Sequence, residues 1–119
     1  MIDKAEQSQD MIRAVYEEGV AEINGREYRI TKLTHKKRRK VFAFFTHVQR
    51  DLQRQDFSFL DWERWAAVEA VIENVVTFNG ALLSKSPEHW EAYPEDYLMF
   101  VSTMLGAISY PFLSGSLGG

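Results

Sequence analysis

Three histidines, His35, His47 and His89, and the adjacent carboxylates Glu95-Asp96 are the residues whose types point first to chemistry. Imidazole and carboxylate are the usual general acids and bases, and together they form the common donor set for a metal ion when cysteine is absent. Their spacing argues against both roles. No two histidines stand at i, i+4, and Glu88-His89 is not part of a His-Glu-x-x-His helix, so a metal site would need three distant residues to converge. Neighbouring carboxylates on a helix point about 100° apart. Glu95-Asp96 therefore reads as a pair of acids at a helix start, where the dipole favours them. A Gly-x-Ser-x-Gly elbow, a P-loop and a dinucleotide fingerprint are all missing. The lack of cysteine removes disulfides, thiolate zinc sites and cysteine nucleophiles. The expectation is a non-enzyme with no catalytic residue, metal or cofactor.

Charge carries more information. Lys36, Lys37, Arg38, Arg39 and Lys40 form one unbroken run of five among the chain's fourteen Lys and Arg. Residues 32–54 hold eight Lys or Arg against one Asp, whereas residues 55–119 hold two against nine Asp or Glu. Three readings stay open: contact with an acidic protein partner, a solvated or internally paired face, and phosphate contact at residues 35–40. The last meets resistance from the acidic remainder, a pI near 5.6 and the lack of a helix-turn-helix or ribonucleoprotein motif. Consecutive basic residues also spread around a helix axis instead of forming one stripe.

These residues need elements to position them. Met11, Ile12, Val15 and Tyr16 have helical spacing within residues 3–17, and Gly19 ends that pattern. Asn24-Gly25 between alternating segments predicts a β-hairpin over about 19–31, with Ile23 opposite Arg26 and Ala21 opposite Tyr28. A helix over 35–54 follows, capped by Thr34. Val41, Phe44, Phe45, Val48 and Leu52 make its apolar stripe, and the basic run sits in its first turns, where cations oppose the dipole. Ser58-Phe59-Leu60-Asp61 has the form of a capping box and predicts a second helix over 59–78. Its buried side would be Trp62, Trp65, Val68, Ile72, Val75 and Val76, with Glu63, Glu69 and Glu73 as its acidic side. Asn79-Gly80 is either its C-cap or a turn after an extended Val75–Phe78. Ser86-Pro87-Glu88 reads as an N-cap and first turn. Tyr93-Pro94-Glu95-Asp96 opens a third helix whose inward stripe is Tyr97, Val101, Met104 and Ile108. Leu98 and Met99 lie on its other side, and Pro111 is expected to stop it.

At 119 residues and 45% hydrophobic content, the chain fits one domain with a real core. The fold class expected is mainly α with a small N-terminal β-hairpin (α+β), a compact helical domain of three to four helices. It would span residues 1–113, with 114–119 as a flexible tail. Neither an apolar signal core nor a run of about 20 apolar residues is present, which predicts a soluble, intracellular protein away from membranes. Sixteen aromatic residues are many for this size, and some are expected at a partner or oligomer interface. The candidate partner-binding residues are Lys36, Lys37, Arg38, Arg39, Lys40, Leu98 and Met99.

The stretch from Glu73-Asn74-Val75-Val76-Thr77-Phe78-Asn79-Gly80, through His89-Trp90-Glu91-Ala92-Tyr93-Pro94, to Tyr110-Pro111-Phe112-Leu113 resembles the tail assembly chaperones of long-tailed, lambda-like bacteriophages and prophages. The order of hairpin, basic-to-apolar helix, Trp-containing helix and acidic-start helix is similar too, over about residues 20–113. This resemblance implies a small helical non-enzyme in the host-cell cytoplasm, absent from the finished virion. It implies binding to the tape measure protein and recruitment of the major tail protein; self-association is expected instead from the apolar positions Leu98 and Met99 and from the hairpin's need for cover. A frameshifted longer form is also implied, with its junction near the Gly/Ser-rich end. The motifs are packing and turn motifs, and no binding residue is carried over from them.

Overall fold

The computed structural model describes residues 4–118, and their side chains over 10–113. Helix α1 (Lys4–Glu18) leads into a β-hairpin of β1 (Val20–Ile23) and β2 (Arg26–Ile30). The long helix α2 (His35–Gln53) follows, then a 3-10 turn over Ser58–Asp61 and α3 (Glu63–Glu73). A second hairpin, β3 (Val76–Phe78) and β4 (Ala81–Leu82), precedes the one-turn α4 (His89–Ala92). Another 3-10 turn over Pro94–Asp96 leads into α5 (Tyr97–Gly118). The α+β class expected from the sequence is the class observed.

The first hairpin has the anticipated register, with Ile23 opposite Arg26 and Ala21 opposite Tyr28. Asn24 (φ 52°) and Gly25 (φ 79°) both take the left-handed conformation that the tight turn requires. Ala21, Ile23 and Tyr28 are buried, so the ribbon has one apolar face. A second hairpin extends it sideways. Strand β3 pairs antiparallel with β2, Tyr28 opposite Phe78 and Ile30 opposite Val76, in a sheet ordered β1-β2-β3-β4.

That pairing corrects the helix expected over 59–78 and gives the other alternative, a turn at Asn79-Gly80 after an extended segment. The α-helix ends at Glu73, and Val76-Thr77-Phe78 is strand. Branched side chains at Val75, Val76 and Thr77 suit extended backbone, and β2 offers an edge to pair with. Asn79 (φ 53°) and Gly80 (φ 82°) form the turn, repeating the geometry of Asn24-Gly25. The capping box is not formed either. Ser58 gives both its backbone N–H and its hydroxyl to Asp56, and α3 starts at Glu63 after an N-cap, Trp62, that makes no side-chain cap bond. Trp62 stays 39% exposed, whereas Trp65, Val68, Ile72, Val75 and Val76 are buried as expected. Ser86 also misses its assigned role, since its hydroxyl donates back to the Leu82 carbonyl and α4 starts at His89.

Helix α2 matches its expectation, with Thr34 Oγ1 accepting from the Lys37 N–H and Val41, Phe44, Phe45 and Val48 buried. It packs on α5, which α1 crosses on another side. At that crossing a Cβ on Gly106 would lie 2.7 Å from Ile12 Cδ1, so glycine is what lets the helices approach. Helix α5 does not stop at Pro111, which lies inside it, and the segment expected as a tail from 114 continues as helix to Gly118. Packing beyond the proline helps explain this, because Phe112 lies against Phe42 and His35 and Leu113 against the core. Gly119 lies outside the described residues. Among the described residues no helix is long and apolar enough to cross a membrane.

Candidate interaction surface

Two polar assemblies stand out, one buried and one exposed. The buried one centres on Asp96, whose side chain has no solvent exposure. The tip of the first hairpin supplies most of its partners. Asn24 Nδ2 donates to Asp96 Oδ1 at 2.7 Å, and Arg26 Nη1 donates to the same oxygen at 2.9 Å. The Tyr28 hydroxyl donates to Oδ2 at 2.7 Å. Having given its proton to Asp96, that hydroxyl accepts from His89 Nε2, 2.8 Å away, which assigns the Nε2-protonated form to the imidazole. Arg26 also pairs with Glu95 at 3.1 Å and lies over the Tyr93 ring.

Burial alone would push the Asp96 carboxyl up, but hydrogen bonds from Asn24, Tyr28 and Arg26, with the guanidinium charge, hold it below the ordinary range. Burial pushes the His89 imidazole down, and Asp96 only partly offsets this. Burial and the bond to Asp96 push the Tyr28 phenol up. Carboxylate, phenol and imidazole thus form a chain that looks like a proton relay. Tyr28 and Asp96 have no exposed surface, however, so a substrate would reach them only if the hairpin moved away. The arrangement ties the hairpin to the start of α5. Expected only as a helix-start acid, Asp96 is the residue that binds two distant parts of the chain together. The sequence signal for it was Tyr28 itself, a phenol on an apolar strand face that needs a partner once buried.

The acidic side of α3 has similar internal uses. Glu69 accepts from the Tyr97 hydroxyl, and Glu73 accepts from Trp90 Nε1 at 2.9 Å. Burial raises the Glu73 carboxyl above its ordinary range despite that bond. These acids therefore face aromatic groups of α4 and α5.

The exposed assembly is the outward side of α2. Within the basic run, Lys36, Arg39 and Lys40 are exposed, and Lys37 and Arg38 are half-buried. Arg38 has a structural task. Its Nη1 donates to the Ile108 carbonyl at 2.8 Å, on the turn of α5 just before Pro111, and its guanidinium lies near the Tyr16 ring. Pro111 lacks the N–H that the Ala107 carbonyl, four residues back, would accept, and Arg38 bonds the next carbonyl along, in the turn that the proline ring crowds. No ion pair involves any of the five basic residues among the described residues.

At about 100° per residue, Lys36, Arg39, Lys40, Ala43, His47 and Arg50 share the α2 side opposite Val41, Phe44, Phe45 and Val48. Arg54, the C-cap residue, continues this side, and all seven are exposed. The expectation that the run spreads around the axis holds only for Lys37 and Arg38. Lys36, Arg39 and Lys40 join later residues in one cationic face. Asp51, the single acid of α2, is half-buried at the edge of that face. Arg54 has a weak attraction to Asp56, whose carboxyl is held low mainly by Ser58.

Leu98 and Met99, on the first turn of α5, are 46% and 47% exposed. The three histidines go to separate places: His35 against Phe112, His47 on the cationic face and His89 in the buried cluster. Among the described residues no three His, Cys, Asp or Glu side chains form a group able to hold a metal ion. No family model matches the chain, and neither a curated protein nor a solved structure matches it.

Proposed function

We propose that this chain is a non-enzymatic assembly chaperone of the kind that long-tailed bacteriophages use in building their tails. In this reading it acts in the host-cell cytoplasm, binds the tape measure protein, helps recruit the major tail protein and self-associates. The observation that carries the partner-binding part is the cationic face of α2, which has no ion pair among the described residues although the acidic half is available. Exposed Leu98 and Met99 add an apolar contact. The phage part rests on the sequence resemblance. Co-expression with the tape measure and major tail proteins tests it. Capture of both supports the reading, and capture of neither, under conditions where a homologous set assembles, removes it.

A second reading, a small nucleic-acid-binding regulator, draws on the same unpaired cations. Replacing Lys36, Lys37, Arg39 and Lys40 by Gln separates the two and spares Arg38, which holds α5. A regulator loses affinity for any duplex and shows a shallower salt dependence. A chaperone has no duplex affinity to lose.

A further inference from the structure

Along the outward side of α2, positions 36, 40, 43, 47, 50 and 54 are four, three, four, three and four residues apart. This is the spacing of a seam along which a second helix can lie. Five of the six positions are Lys, Arg or His, and Arg39 flanks the seam. The sixth, Ala43, is small, exposed and near the middle, so another backbone can come close there. From Lys36 to Arg54 the seam runs about 27 Å at a rise of about 1.5 Å per residue.

We infer that this face docks an acidic amphipathic helix of a protein partner, with Asp or Glu at the same four-three spacing laid alongside α2. The inference rests on the partner-binding reading above, and not on its assignment to phage tails. Charge complementarity selects the occupant. Among the described residues the cations have no ion pair, while Glu69 and Glu73 are committed to Tyr97 and Trp90. A duplex fits less well. Its charge extends past any single helix, and residues 55–119 expose six acids against two bases. No Phe, Tyr or Trp stands on the outward face of α2 for a base to stack on. A helix is narrow enough to touch the seam alone.

The test uses the full chain and two fluorescent helical peptides of about 25 residues, long enough to cover the seam. They share one composition. One has Glu at four-three spacing, and the other has the same residues scrambled. A duplex of matched charge is the third probe. The patterned peptide should bind about tenfold or more tighter than the scrambled one and the duplex, and weaken as salt rises. In the variant Lys40→Glu/Arg50→Glu, that preference should vanish, and a peptide with Lys at the same spacing should bind instead. Both positions are exposed and unpaired, so circular dichroism should show an unchanged fold. Equal binding of the two peptides, tighter binding of the duplex, or no effect of the charge reversal each overturns the inference. Failure to capture tail proteins would remove the phage reading and leave this one standing. If the reversed variant still captured them, the seam would fail and the chaperone reading would survive.

Discussion

Arg38 and Arg39 are neighbours of one type in one run, yet their surroundings give them different work. The Arg38 guanidinium bonds a carbonyl of α5, and Arg39 faces solvent. Losing a charged donor from a partly buried carbonyl costs about 1.5–3 kcal/mol, whereas an exposed substitution usually stays within about 0.5 kcal/mol. Arg38→Ala should therefore lower the urea midpoint clearly and Arg39→Ala hardly at all, as denaturation curves would show. The buried cluster gives a pH dependence with two windows. His89 is depressed below its ordinary 6.5, so the unfolded chain takes up a proton first as the pH falls through that value, and stability declines. Asp96 is depressed below 3.8, so its contribution is complete above that value and is lost as the pH falls below it. Thermal melts across pH should show both declines, and His89→Gln should remove only the upper one.

Among the elements, α1 and α5 meet where there is no room for a side chain. Alanine forms helix better than glycine by about 1 kcal/mol, so Gly106→Ala in an isolated helix would stabilise. Here the added Cβ meets Ile12 at Cδ1, Cγ1 and Cγ2, the last on a stiff branched centre. Gly106→Ala should thus destabilise by about 1–3 kcal/mol. Ile12→Ala should relieve much of that loss, and a double-mutant cycle would show the coupling. The second hairpin teaches a related lesson. Residues 75–78 carry apolar groups at positions that also suit a helix face, and only the free edge of β2 makes them a strand. The long α2, by contrast, has cap, stripe and solvent face all readable in order, because each depends on residues within a few turns.

For the molecule as a whole, the separated charge is a surface property. Among the described residues the acidic half forms no ion pair with the basic helix; two of its acids satisfy half-buried aromatic groups, and Asp96 holds the hairpin. Leu98 and Met99 then offer the apolar contact through which copies would associate. Light scattering should show a concentration-dependent mass for the wild type. Leu98→Glu/Met99→Glu should reduce it to a monomer with little change in melting temperature, since neither side chain is buried. A wild-type monomer at high concentration would remove self-association.

By itself the sequence determined what neighbours along the chain determine: the Asn24-Gly25 turn and its register, the capped α2 with its apolar stripe, the exposed Leu98 and Met99, and the sorted charge. Such features follow from turn geometry and helical periodicity, which act over a few residues. Only the tertiary structure decided that Val76–Phe78 pairs with β2, that α5 passes through Pro111, that Asp96 joins Asn24, Arg26 and Tyr28, and that Arg38 of the basic run is tied to α5. Each of these depends on groups roughly forty to seventy residues apart, brought together by the burial of apolar faces. Local preference is outweighed wherever a buried polar group must find its partner across the core.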